Sequence, residues 1–328
     1  MLALALLIGI GSTAIEGFER GSSASGAEDP GPIAVGALPA VDAGGSNAAA
    51  VVSEPEPTVG PRFQAPAGVT ALAVHAWRPG ADELLIERSA DDRMQVGSVV
   101  KVATAIVALQ YVDLDDEVLI DSTDLVDPAV YSNMGLIAGD TLTVEQLLMG
   151  LLVPSGGDAA EALARHAGSV VSGSIDPATA RAAFVDAMNA WATRIGLQNT
   201  RFANASGADD ASSFSSARDV SIMAAELIES PVLAGMVGMA SYEFTSPGGN
   251  LYTGFNTNQM LGEGGVIGVK TGSTGNAGGC VVLARAEAGG RITILTILGS
   301  DLAYNELVQI VSDARWDDAR AIFSTIDA

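Results

Sequence analysis

Residues 97–110 read GSVVKVATAIVALQ. The run stays apolar for more than two helical turns and carries a single charge, Lys101. A helix that is apolar on nearly every face has no side to show to water, so the fold must enclose it on all sides. With 328 residues, 48% of them hydrophobic, the chain has material for the sizeable core this demands. The lysine is unusual in its own right. The 16 basic residues divide into 14 arginines and two lysines, Lys101 and Lys270. Lysine can lose its proton in a protein and arginine effectively cannot, which makes Lys101 a candidate base.

The formal net charge is −23. No basic surface for nucleic acid can be built from so few cations, and anionic lipid headgroups are equally poor partners. Cys280 is the only cysteine, which excludes an intrachain disulfide. It lies in GGCVVLARA, which reads as a buried strand with no neighbour to activate a thiol. His75 and His166, the two histidines, fall in different predicted elements and do not suggest a metal site. No G-x-S-x-G elbow accompanies them, as a Ser-His-Asp hydrolase of that fold would require. No metal or cofactor is expected.

Residues 1–18, MLALALLIGIGSTAIEGF, open with an apolar run that is short for a membrane span and resembles the core of an export signal. No Lys or Arg precedes it, so it reads as an imperfect signal or an anchor. Residues 19–62 are acidic and rich in Gly, Ala, Ser and Pro, with no aromatic between Phe18 and Phe63. A disordered linker is expected there, with an r.m.s. span on the order of 35 Å.

The folded domain is expected over 63–328. A hairpin is predicted around WRPGAD, then the apolar helix from Ser98. TVEQLLMGLLV carries a capping box, Thr143 with Gln146, and ends before Pro154. Helices follow in DAAEALARHAG, in PATARAAFVDAMNAWATRIG and in SSARDVSIMAAELIES, the last capped by Ser215 or Ser216. Strands return in GVIGVKTG, GGCVVLARAEA and RITILTILGS, with Gly289-Gly290 as a turn. A final helix is predicted across NELVQIVSDARWDDARAIFSTI. Strands at both ends with helices between imply an α+β domain whose two chain ends share one sheet.

Ser98 and Lys101 stand at i and i+3, on one helical face. Ser98 lies at the helix N-terminus, where free N–H groups favour a developing anion. The surrounding valines would desolvate Lys101 and lower its pKa. A neutral lysine beside a hydroxyl is a general base for a nucleophile. The plainer reading is a capping serine beside a lysine that reaches the surface. The other lysine begins Lys270-Thr271-Gly272 at a strand end. Cation, hydroxyl donor and a glycine that admits a substrate backbone together suit a terminal carboxylate. The plainer reading is a strand-end lysine before a glycine-rich turn. Between them lies Ser155, in VPSGGDAAEALA, just past a helix end.

S-x-x-K, a serine after a helix end, and K-T-G occur in the order found in active-site-serine penicillin-recognising enzymes. From about residue 66 to 325 the chain resembles the serine D-alanyl-D-alanine carboxypeptidases, the low-molecular-mass penicillin-binding proteins. NMGLIAGDTLTVEQLLMGLLVPSGGDAAEALA, FVDAMNAWATRIGLQNTRFANASG, SSARDV, NTNQML and GVKTGSTGNAGGC fall in that family's order. The resemblance implies a β-lactamase/transpeptidase-like fold. Its antiparallel sheet comes from both chain ends, flanked by helices, with an all-helical subdomain between. It also implies roles. Ser98 attacks the carbonyl of the penultimate D-Ala, Lys101 takes its proton, and Ser155 relays a proton to the leaving amine. Lys270 and Thr271 hold the terminal carboxylate beside Gly272, and the N–H groups of Ser98 and Ser273 bind the oxyanion. The implied substrate is a peptidoglycan stem peptide and the implied inhibitors are β-lactams. The protein would work outside the cytoplasm, secreted or tethered, meeting a membrane only through its N-terminal segment.

The family's second motif ends in Asn where this chain has Gly157, and QVG precedes Ser98 where the family favours proline and alanine. Losing that amide removes a contact to Lys101 and to substrate, so a slow enzyme is expected, with water in the gap. Asp158 is expected to point along its own helix. Two alternatives stand beside this reading. A β-lactamase needs a base for deacylation, and no Glu or Asp occurs from Ala187 through Ser206. A non-catalytic wall-binding homologue is favoured by Gly157 alone. Residues 1–61 cannot bury a core of their own. A chain beginning near Phe63 is expected to stay soluble and folded and to bind a fluorescent penicillin as the full chain does; loss of folded protein would show that the linker packs on the domain.

Overall fold

The structure, a computed structural model, describes residues 60–305 and 310–328. The apolar segment at 1–18 and nearly all of the linker expected at 19–62 lie outside the described residues. Where the description begins, the chain is already paired. The N–H groups of Arg62 and Phe63 donate to the carbonyls of Leu84 and Leu85 at 3.1 and 2.8 Å, and Arg62 pairs with Glu83 at 2.7 Å. A shortened chain keeps all these bonds only if it begins at or before Pro61.

Strands β1 (Ala73–Arg78) and β2 (Glu83–Arg88) form the first hairpin. A 3-10 turn, Gly97–Val100, runs into α1 (Lys101–Ala108). β3 (Glu117–Leu119) and β4 (Thr141–Thr143) pair as a short ribbon. The helical block is α2 (Val144–Leu152), α3 (Gly157–Ser172), α4 (Pro177–Arg194), α5 (Ala217–Glu229) and α6 (Pro231–Val237). β5 (Ser241–Thr245) and β6 (Leu251–Phe255) make a second ribbon. Then come β7 (Val266–Thr274), β8 (Gly278–Ala286) and β9 (Ile292–Ser300), the short pair β10 (Leu302–Tyr304) and β11 (Ile310–Asp313), and α7 (Arg315–Asp327).

The main sheet is antiparallel in the order β2-β1-β9-β8-β7. β1 lies against β9, with Val74 opposite Ile297 and Ala76 opposite Leu295, so the two chain ends share one sheet as expected. Both its faces are covered. Leu283, Leu295 and Ile297 pack with Trp316, Ile322 and Phe323 of α7, while Val282, Ala284, Ile294 and Leu298 belong to the core shared with α1 and α5. Side chains alternate between faces, so strands buried on both sides read as continuous apolar runs. All eight residues of α1 are buried, Lys101 included. The capping box of α2 forms between Thr143 and Gln146, and Ser216 caps α5.

The C-terminal segment differs from expectation. A helix was predicted from residue 305, but β10 and β11 come first and α7 begins only at Arg315. Ile310 and Val311 are β-branched, which suits a strand. The Asp313 carboxylate then accepts from the Arg315 side chain at 2.6 Å and from Trp316 Nε1 at 3.0 Å, ending the strand where α7 starts. The short strands of the two ribbons and the seven-residue α6 were also not anticipated; such brief elements carry little periodicity.

One buried carboxylate clasps the chain ends. Asp318 accepts from Thr70 N (2.9 Å), Thr70 Oγ1 (2.8 Å), Ala71 N (3.0 Å) and Ser300 Oγ (2.7 Å). Its replacement strands several donors in a site that is 3% exposed. Asp318→Ala is expected to lower unfolding free energy by about 3 kcal/mol, read as a reduced urea midpoint at unchanged slope; a shift under a third of that would show that water reaches the clasp.

Candidate active site

The nucleophile candidate sits on the turn before α1. Ser98 is half-buried, and Lys101 Nζ lies 2.7 Å from its Oγ. The i, i+3 spacing thus brings the two together. Lys101 is 2% exposed. Burial pushes its pKa down to about 7, against a smaller upward pull from Asp158 and Glu161. Its second partner is the carbonyl of Ser206, at 2.7 Å. In neutral form the amine can donate to that carbonyl and accept the serine proton.

Ser206 lies on the loop between α4 and α5, and that loop is pinned from several sides. The side chain of Asn189 bonds Phe202 N and O, both at 2.9 Å. Asp219 accepts from Asn199 N and Thr200 Oγ1 at 2.7 Å. Asn204 Oδ1 accepts from Gly207 N at 2.7 Å, and Ala205 O from Thr104 Oγ1 at 2.6 Å. Asn199, Thr200, Phe202 and Asn204 are the residues through which the loop is pinned. Sequence reasoning missed that the loop's purpose is to aim the Ser206 carbonyl at Lys101; a backbone group leaves no mark in residue identity. Gly207 permits the approach. Its φ is +80°, and a Cβ there would collide with the Gly97 carbonyl beside Ser98.

Ser155 joins α2 to α3 at φ +67°, a left-handed conformation that costs a non-glycine residue about 1–3 kcal/mol. Its Oγ is buried with no hydrogen-bond partner. An orphaned buried hydroxyl held in a strained backbone is a group waiting for a ligand.

Strand β7 supplies the opposite wall. Thr271 Oγ1 bonds Thr257 Oγ1 at 2.6 Å. Gly272 is pressed against the Ser98 turn, where a Cβ would meet the Val96 carbonyl and lie 3.1 Å from Ser98 N. A Cβ on Gly97 would in turn lie 3.1 Å from Ser273 N, so the Ser98 turn and the end of the K-T-G segment are in close contact. Lys270 is 1% exposed, and its Nζ donates to the Thr271 carbonyl at 3.1 Å. Burial first, then Lys101 and Arg315, hold its pKa well below the usual lysine value.

Arg315, at the start of α7, was not anticipated. It donates to Gly272 O (2.8 Å), Cys280 O (2.9 Å) and Ser273 Oγ (2.6 Å) while paired with Asp313. It therefore braces the K-T-G strand from behind and brings a permanent positive charge to the site. The one available signal was an arginine at a helix start, where a cation is unfavourable.

A cavity of about 190 Å³ is lined by Ser98, Ser155, Thr271, Gly272, Ser273 and Arg315, together with Ser132, Thr257, Gln259, Ile310, Asp313 and Trp316. Lys101 reaches it through Ser98, and Lys270 lies behind its wall. Gly157 does not line it, which corrects the expectation that this position faces substrate and Lys101. A Cβ there would approach Ser132 O at 3.2 Å and Tyr131 Cβ at 3.7 Å, so the position points at the preceding loop. Asp158 is corrected too. Its carboxylate turns back to accept from Met134, Gly135 and Leu136 N–H groups. Among the described residues no group of His, Cys, Asp and Glu could hold a metal ion.

A family model described as D-alanyl-D-alanine carboxypeptidase matches residues 70–301. The chain belongs to the D-alanyl-D-alanine carboxypeptidase family. It is 34% identical to the D-alanyl-D-alanine carboxypeptidase of Streptomyces sp. strain K15, over 82% of this chain and 90% of that one. It is 33% identical to D-alanyl-D-alanine carboxypeptidase DacB2 of Mycobacterium tuberculosis, over 69% of this chain and 72% of the relative. The crystal structure of the Streptomyces K15 DD-transpeptidase superposes with a TM-score of 0.70 at 33% identity, covering 79% of this chain and 97% of that one. The α+β, β-lactamase/transpeptidase-like architecture stands on that match.

With Lys101 as the base, acylation would need it without its proton. Its rate is expected to fall about tenfold per pH unit below pH about 7 and to level off above it. Lys101→Arg, which keeps the charge but cannot act as a base, is expected to lose acylation at every pH; a variant within about tenfold of wild type would remove the assigned role.

Proposed function

We propose that the protein is a serine-type D-alanyl-D-alanine carboxypeptidase that removes the terminal D-alanine from peptidoglycan stem peptides through an acyl-enzyme at Ser98. The observation that carries this is the 2.7 Å contact between Ser98 Oγ and an amine held near neutrality by burial.

The terminal carboxylate is drawn to the Thr271–Ser273 wall, where Thr271 and Ser273 offer hydroxyls and Arg315 and Lys270 supply positive potential. An arriving anion also relieves the mutual repulsion of the cations. Ser98 Oγ attacks the penultimate carbonyl carbon as its proton passes to Lys101. The new oxyanion lies between the N–H groups of Ser98 and Ser273. The C–N bond breaks as the proton returns to the departing amine through Ser155, whose unpartnered hydroxyl suits a relay. Water then attacks the ester, with Lys101 again as base, and releases the shortened peptide.

Penicillins would acylate the same serine, since their ring amide and carboxylate call on the same groups. Peptidoglycan lies outside the cytoplasmic membrane, so the enzyme works there. Residues 1–18 would direct or tether it, with 19–62 as the spacer.

The test is incubation with a stem pentapeptide ending in D-Ala-D-Ala, with free D-alanine measured alongside labelling by a fluorescent penicillin. D-alanine release and stable labelling, both absent in Ser98→Ala, are expected. Rapid loss of the label would favour a β-lactamase. Absence of both release and labelling in wild type would favour a non-catalytic wall-binding homologue.

A further inference from the structure

The second motif lacks its side-chain amide, and the preceding loop lies against that position. Gly157 N–H donates to the carbonyl of Ser132 at 2.7 Å, and a Cβ on Gly157 would stand 3.2 Å from that same oxygen. Glycine is what lets the loop come this close. The next residues of the loop are fixed by Asp158, whose carboxylate takes the N–H groups of Met134 (2.9 Å), Gly135 (3.0 Å) and Leu136 (3.0 Å). Met134 is buried, and its sulfur packs over Gly150 of α2. Ser132 is therefore bracketed by its own carbonyl on one side and by three anchored amides on the other.

The bracket brings the exposed Ser132 to the wall of the cavity that also holds Ser98 and the unpartnered Ser155 hydroxyl. No protein hydrogen bond from the Ser132 hydroxyl is present among the described residues, whereas its carbonyl and the amides that follow are committed. A hydroxyl can both donate to a peptide carbonyl and accept from a peptide N–H, which is what an asparagine amide offers from the other side of the gap.

We propose that Ser132 is a substrate-contacting residue of this enzyme, its hydroxyl bonding the backbone of the stem peptide on the acyl-donor side, in place of the amide absent at Gly157. The assignment rests on the carboxypeptidase reading above. It makes Gly157 and Ser132 a matched pair, with a small residue on α3 and a polar one carried in by the loop. Gly157 is then part of a rebuilt pocket, not a simple loss from it.

The experiment measures kcat/KM for D-alanine release from the stem pentapeptide in wild type, Ser132→Ala, Ser132→Thr and Gly157→Asn, with thermal melting as a check on folding. Ser132→Ala is expected to lose about tenfold, the scale of one hydrogen bond to substrate, chiefly as a higher KM and at unchanged melting temperature. Ser132→Thr keeps the hydroxyl and is expected to stay within about threefold of wild type. Gly157→Asn is expected to lower the rate, because its side chain pushes the loop away. Ser132→Ala within twofold of an active wild type, or equal losses for Ala and Thr, would overturn the proposal while leaving the carboxypeptidase reading intact. So would a tenfold gain in Gly157→Asn, which would mark the glycine as a damaged family position. A wild type that releases no D-alanine removes the parent reading and this inference together.

Discussion

The proposed chemistry of this protein depends on keeping one amine out of water. Lys101 sits in a helix whose eight residues are all buried, and its nitrogen meets a serine hydroxyl and a backbone carbonyl. A buried lysine is costly to charge, so the fold holds it close to neutrality and the adjoining serine gains a base. The apolar helix is thus more than core. Its lack of a polar face is what deprives the lysine of solvent, and the layers that enclose it, sheet and helical block, are the layers that carry the other site residues.

The remaining cations extend the same logic. Burial above all, and Arg315 beside it, make Lys270 costly to charge, while Arg315 cannot give up its charge. The cavity that Arg315 lines carries a positive charge balanced only in part, by Asp313. A carboxylate entering it supplies what the protein withholds. Substrate binding and the electrostatic state of the site are therefore coupled, and uncharged peptides ending in an amide would forgo that gain.

Much of this was legible in the sequence, and the limits have physical causes. That Ser98, Lys101, Ser155, Thr271, Gly272 and Ser273 come together could be read because the pattern lies in side-chain type and local spacing. The sheet could be read from apolar runs at both ends. Three contributors could not. Ser206 acts through a backbone carbonyl, which any residue would provide. Arg315 belongs to the site only because a strand 40 residues earlier lies beside it, and the strand pair before α7 obscured where that helix begins. Gly157 looked like a deletion, because a sequence records the missing amide but not the loop that approaches in its absence. Asp158 was misjudged for a related reason: proximity to a helix start explained it locally, while its partners lie 22 to 24 residues away.

The clasp of Asp318 on Thr70 spans 248 residues. The central pairing of β1 with β9 spans nearly as much, and the strand that faces the nucleophile is made more than 160 residues after it. Long-range pairings of this kind form late in folding. A chain still emerging from the ribosome or through a membrane has its nucleophile but neither the wall opposite nor the arginine that braces it. The proposed site is therefore complete only once β7 and Arg315 have joined the Ser98 turn. An enzyme that trims the stem peptides of its own cell wall is, by its topology, assembled only when the far end of the domain has reached the near one.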